Sequence, residues 1–153
     1  MLIYMSNSTQ QERSTPLHSV SVAGVVVRED GRVLVIRRAD NDTWEPPGGV
    51  LELGESVEAG VCREVLEETG LSVVVERLTG VYKNMSLGVV ALVFRCKPVA
   101  GTPCTSPEST AVEWLSPDDA IGRMGDMYGM RVRDALSPGE PVVRAHDGRK
   151  LVA

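Results

Sequence analysis

The chain has 153 residues, 42% hydrophobic and 24% charged, with a formal net charge of −5. That mixture excludes a disordered chain or a collagen-like repeat and points to one globular domain. No run approaches the ~18–20 apolar residues of a membrane helix, and the acidic balance argues against a broad nucleic-acid surface, which needs clustered Lys and Arg.

In chain order, Met1-Leu2-Ile3-Tyr4-Met5 is too short for a leader and lacks its basic flank. Residues 1–16 are expected as a flexible arm and residues 17–153 as a single domain. Val20 to Val27 is β-branched and almost continuously apolar, the pattern of a strand buried on both faces. Asp30-Gly31 suits a tight hairpin turn, with Val33-Leu34-Val35-Ile36 as partner strand. Asp40 to Gly49 reads as a loop. Ser56 can cap a helix, Glu58 suits its first turn, and Gly70 is a left-handed stop. Strands are expected near 72–82, 88–96 and 111–115, a long loop from Pro98 to Ser109, and helices over 118–124 and 128–136. A short hairpin is expected around Asp147-Gly148. Helices interleaved with these strands predict an α/β layered sandwich with a mixed sheet. Cys62, Cys96 and Cys104 are odd in number and lack CxxC spacing, which favours a reducing, cytoplasmic setting.

The chemically informative stretch is Gly48 to Leu71, with Glu52, Glu55, Glu58, Glu64, Glu67 and Glu68. On a helix over 57–69, Glu64, Glu67 and Glu68 fall within an arc of about 100°. Ala59, Val61, Cys62, Val65 and Leu66 then form a core-facing stripe. Gly60 lies one turn before the acids, where a missing side chain lets a loop or ligand come close. Glu64 and Glu68 are a like-charged i,i+4 pair, costing about 0.2–0.5 kcal/mol. Arg63 is the sole nearby cation. A solvated acidic face is the ordinary reading of such a helix, but this crowding suits a hard cation with oxygen ligands.

From Gly49 to Leu71 the chain resembles the Nudix box, GX5EX7REUXEEXGU, at every fixed position, with Val65 and Leu71 as bulky aliphatics. Trp44-Glu45-Pro46-Pro47-Gly48 resembles the usual entry to the box, and Glu113-Trp114-Leu115 a later strand ending. The resemblance implies a Nudix α/β/α sandwich with a mixed central sheet, the box being a loop–helix–loop. It further implies Mg²⁺- or Mn²⁺-dependent hydrolysis of a nucleoside diphosphate linked to another moiety. By position, Glu67 and Glu68 are the expected main metal ligands, with a backbone carbonyl at Gly48 or Gly49 assisting. Glu64 is a ligand or the water-activating base, Arg63 orients a box glutamate, and Glu55 supports the loop or a second ion.

Outside the box, Glu108 and Glu113 are candidates for an additional ligand or base, Glu108 having the easier reach from its loop. Arg37, Arg38 and Lys83 are candidates for a terminal phosphate. Trp44 and Tyr82 are candidates for stacking on a base or ribose, although Trp44 also suits a structural plug. His18 and His146 read as structural or surface residues, and Cys62 as a small core residue. Signatures of NADH, coenzyme A, ADP-ribose and diadenosine-polyphosphate members are missing; Met85-Ser86-Leu87-Gly88 holds neither the expected Pro nor Tyr. The expected substrate is therefore a nucleoside triphosphate, as for MutT-like members. ADP-ribose or a nucleotide sugar is the alternative, as is a nucleotide-sensing module without catalysis; an isomerase needs positions not found here. A homodimer through Leu2-Ile3-Tyr4 or the tail is compatible with the chain.

Overall fold

The computed structural model describes residues 14–152. The expected arm thus lies largely outside the described residues, and Ser14 to His18 are exposed. The elements are β1 (Ser19–Val26), β2 (Val33–Arg38), β3 (Trp44–Glu45), β4 (Gly48–Val50), α1 (Val57–Thr69), β5 (Ser72–Asn84), β6 (Val89–Ala100), β7 (Ser109–Leu115), α2 (Pro117–Arg123), α3 (Asp126–Leu136) and β8 (Val142–His146).

A mixed five-stranded sheet runs β4-β1-β6-β5-β8, and a three-stranded sheet runs β3-β2-β7. Helix α1 covers one face of the larger sheet, where Val22, Val26, Val61, Val65 and Phe94 make one core. Helix α3 covers the other, where Ala23, Val25, Tyr82, Val93 and Val132 make a second, and α2 packs on α3 and on β2 and β7 of the smaller sheet. The alternation along β1 sends successive side chains to these two cores, which is why its sequence is apolar at nearly every position.

The expected β1–β2 hairpin is corrected. The turn forms, with Gly31 N donating to Arg28 O at 2.9 Å, but the strands share only the bridge Val27↔Val33. Both edges of β1 are already taken, by β4 antiparallel and β6 parallel. Strand β2 therefore leaves for the smaller sheet and pairs with β3 and β7. The loop expected over 40–49 also contains β3 and β4, and β6 continues to Ala100 before its loop. The tail forms its turn at Asp147-Gly148, with His146 bridging Leu151, and β8 adds parallel to β5 as an edge strand.

Candidate active site

Helix α1 starts and stops where its sequence directs. Ser56 accepts from Ala59 N, and Gly70, at φ 78°, closes the end with its N–H on Leu66 O. Its buried face differs from the expected stripe: Leu66 and Ala59 are exposed and Cys62 is half-buried, whereas Glu64 and Glu68 are buried beside Val61 and Val65. The cause is packing against a glycine. A Cβ on Gly24 would stand 3.0 Å from Val65 Cγ2, so the helix settles close to β1 and its acidic side turns toward β4.

Two further glycines let those acids in. Gly48 N donates to Glu68 Oε1 at 2.7 Å. A Cβ on Gly49 would lie 2.5 Å from a Glu64 carboxylate oxygen, and one on Gly48 would collide with the backbone of Val22 and Ala23. Gly60 admits the 51–55 loop, since its Cβ would meet Leu51 and Glu55.

Arg63 is the hub of this end. Its Nε and Nη2 donate to Glu55 at 2.8 and 2.6 Å, and its Nη1 to Glu64 at 2.9 Å and Glu67 at 3.2 Å. Nη2 also reaches Val50 O at 3.2 Å. Glu55 additionally accepts from Glu52 N at 2.9 Å. These hydrogen bonds, that from Arg63 foremost, hold the Glu55 carboxyl down to about 2. Glu55 thus clamps the loop, fully engaged by protein donors.

Carboxylate oxygens of Glu64, Glu68 and Glu108 lie within 4.8 Å of one another. Glu108 arrives from the 101–108 loop, which is fastened where Ser109 Oγ donates to Glu68 O at 2.6 Å and Ala39 N donates to Glu108 O at 2.9 Å. Burial pushes Glu68 up to about 8 against the opposing Gly48 hydrogen bond, with Glu64, Glu45 and Glu108 adding to the rise. Burial also raises Glu64, opposed by Arg63. The cluster holds more negative charge than its surroundings neutralise. An all-oxygen donor set of this kind fits Mg²⁺ or Mn²⁺.

The other expected site residues scatter. Glu67 turns outward, its side chain 54% exposed and held by Arg63, so the structure does not bring it into the cluster. Arg37 faces Asp42 at 3.4 Å on the surface. Glu113 is paired with Arg123 at 2.7 Å. Trp44 is half-buried under the Arg123 guanidinium, 4.9 Å from its centroid, and lines a surface cleft of about 620 Å³ with Tyr128. Tyr82 is buried in the second core and donates to Asp134 at 2.6 Å, which replaces the expected stacking platform with a core residue. Lys83 follows it on the opposite sheet face. His146, read as a structural or surface residue, is buried. Arg131, Tyr128 and Glu45 escaped sequence reasoning. The available signal was the stripe Tyr128, Arg131, Val132 and Ala135 at i, i+3, i+4 and i+7, an apolar face containing an arginine.

The family model described as "NUDIX domain" matches residues 17–131. A protein of Streptomyces ambofaciens named "MutT-like protein" is 64% identical over 152 residues, covering 99% of this chain and 98% of that protein. An "ADP-ribose pyrophosphatase" of Methanocaldococcus jannaschii is 35% identical over 92 residues, 56% of this chain and 54% of its own. Among solved structures, a NUDIX hydrolase from Nitrosomonas europaea superposes with a TM-score of 0.75 at 22% identity, covering 86% of this chain and 81% of that one. Among the described residues no helix is long and apolar enough to cross a membrane.

Proposed function

The chain belongs to the Nudix family, and from that premise we propose that this hydrolase of diphosphate bonds cleaves nucleoside triphosphates with a divalent cation held by Glu64, Glu68 and Glu108. The observation carrying the metal assignment is the convergence of those three carboxylates within 4.8 Å. A backbone carbonyl at Gly48 or Gly49 is close enough in the chain to assist. When bound, Mg²⁺ or Mn²⁺ neutralises phosphate charge and lowers the pKa of a water molecule.

The chain's own residues do the rest. Gly48 N fixes the Glu68 carboxylate, and Arg63 fixes that of Glu64. Glu67, on the outer side of Arg63, steadies the same guanidinium and has a positioning role. Glu108 is exposed on its loop, so its carboxylate oxygen not turned to the cation takes a proton from the attacking water. Water oxygen then bonds to phosphorus, the anhydride P–O bond breaks, and the electron pair leaves with the departing phosphate group. Arg37 and Lys83 remain candidates for contacts to outer phosphates, and Trp44 for the walls of the cleft. A divalent cation held there would let an acidic protein accept a polyanion.

The test is turnover of nucleoside triphosphates, ADP-ribose and nucleotide sugars with Mg²⁺, using labelled water to locate the attacked phosphorus. Triphosphates turned over fastest support the reading. ADP-ribose turned over fastest replaces it with the activity that the Methanocaldococcus relative's name carries. Binding without turnover of any of them replaces it with a sensor.

A further inference from the structure

Between α3 and strands β1, β5 and β6 lies a cavity of about 250 Å³ whose lining includes Ser21, Tyr82, Tyr128, Arg131 and His146. The Arg131 guanidinium sits 5.1 Å from the Tyr82 centroid and 4.9 Å from that of Tyr128. Its Nε is sealed from solvent without a hydrogen-bond partner, and so is His146 Nε2. Glu45, whose charge acts on Arg131, is already bonded to Arg38 at 3.1 Å.

The protonation pattern of the wall follows from its hydrogen bonds. His146 Nδ1 accepts from Gly148 N at 3.0 Å, so the neutral ring carries its proton on Nε2. Burial, aided by Arg131, keeps that ring neutral. Asn84 Oδ1 takes the N–H groups of Ser86 and Leu87 at 3.0 and 3.1 Å, which leaves its NH₂ to donate. Tyr82 donates its hydroxyl to Asp134. The fixed polar side chains here present donors, two of them unpaired, between apolar Leu87, Val89, Ala91 and Met127. Unpaired buried donors are costly and demand a ligand that accepts.

We infer that Arg131 and His146 are specificity-determining residues that read an edge with two adjacent acceptors, and that this edge is the 6-oxo edge of a purine nucleotide. The apolar and aromatic walls suit a flat heterocycle better than a hydrated anion. Guanine presents O6 and N7 as adjacent acceptors, which a guanidinium matches with two N–H groups; adenine replaces O6 with an amino donor. An 8-oxoguanine carries a hydrogen on N7 and loses half of the match. The lining residue Ser21 pairs with Val50, and its neighbour Val22 pairs with Gly49, the glycine against which Glu64 lies, so the cavity and the carboxylates flank the same β1–β4 pair.

The inference deepens the triphosphatase reading and rests on it for turnover, but not for binding. With Mg²⁺, kcat/KM for GTP and ITP should exceed that for ATP by at least about tenfold, with 8-oxo-GTP below GTP. Arg131→Met should bring the GTP-to-ATP ratio within about threefold, mainly through KM. An equal loss for both nucleotides would mark a structural role and overturn the inference. Should that variant fail to fold, the wild-type protein decides by calorimetry with GMP, AMP and inorganic phosphate. GMP binding about tenfold tighter than both supports the reading even where no triphosphate is cleaved; AMP or phosphate binding as tightly as GMP overturns it.

Discussion

Arg63 and Arg131 lie on opposite faces of the large sheet in opposite electrostatic conditions. Arg63 on α1 meets Glu55, Glu64, Glu67 and the Val50 carbonyl, whereas Arg131 on α3 meets two aromatic faces and keeps a sealed, unpaired Nε. The first is fully engaged by its own chain and can only position the carboxylates around it. The second has donors with no partner. A surplus of negative charge at Glu64, Glu68 and Glu108 and a surplus of donors at Arg131 are complementary deficits, which one ligand with a bound cation at one end and acceptors at the other would satisfy.

The sharpest break between positioning and liganding groups is Glu68→Gln set against Glu67→Gln. Removing the buried Glu68 charge should lower kcat by about 10²–10⁴-fold, while Glu67→Gln should cost about tenfold or less. Pyrophosphate release at saturating Mg²⁺ reads both. Equal losses would show that exposure and distance do not separate their roles.

Next come the two glycines. Gly49→Ala places its Cβ against the flexible end of Glu64, which can shift cheaply; activity should drop by roughly ten- to a hundredfold with melting little changed. Gly48→Ala meets backbone instead, so thermal stability should fall by about 2–4 kcal/mol. The reverse pattern would mean that Glu64 is not the neighbour that matters.

The box helix was legible because its signals are local. Ser56, Gly70 and the acids lie on one continuous segment, and capping chemistry and helical spacing act over a few residues. What failed was any step that depended on a remote partner. The α1 face rotated because Gly24, on another strand, sets how close the helix comes. Strand β2 left β1 because β4 and β6 had already filled both edges, which no property of 20–36 reveals. Glu108 reaches the cluster through a loop tied down by Ser109, and the sequence offered it only as one candidate beside Glu113. Arg131 and His146 line one cavity from α3 and β8; the helical stripe marks Arg131 as an arginine on an apolar face, but nothing local joins it to His146.

Arg63→Ala should remove the clamp between helix and loop. Its side chain is 23% exposed, so the loss is moderated by solvent, about 1–3 kcal/mol in chemical denaturation. Arg63→Lys should recover little of it, since one ammonium cannot serve Glu55 in two bonds and Glu64 together. Full rescue by lysine would reduce the hub to a simple charge.

The opposing charge states also predict a pH dependence. In the cation-free protein Glu68 is raised to about 8 from an ordinary value near 4.5, so between those values the folded form binds a proton that the unfolded chain has lost. Stability should therefore fall as pH rises from 4.5 to 8, by about 2 kcal/mol as an order of magnitude. Denaturation in a chelator at pH 5 and pH 8 reads it. Glu68→Gln should flatten the slope, and added Mg²⁺ should oppose it by favouring the carboxylate; a slope of the opposite sign in the chelated protein would remove Glu68 as its source.

The smallest expected effect isolates the floor under Arg131. Tyr82→Phe keeps the ring over which the guanidinium lies and deletes only the hydroxyl bonded to Asp134. Asp134 still accepts two hydrogen bonds from Arg144, at 2.9 and 2.8 Å, so no charge is stranded and the loss should be about 1 kcal/mol. Nucleotide preference should persist in this variant, because the ring and not the hydroxyl faces Arg131. A melting shift of about that size with an unchanged GMP-to-AMP binding ratio assigns the hydroxyl to the fold. A collapsed ratio would instead place Asp134 and Arg144 in the chain of contacts that holds Arg131 in register.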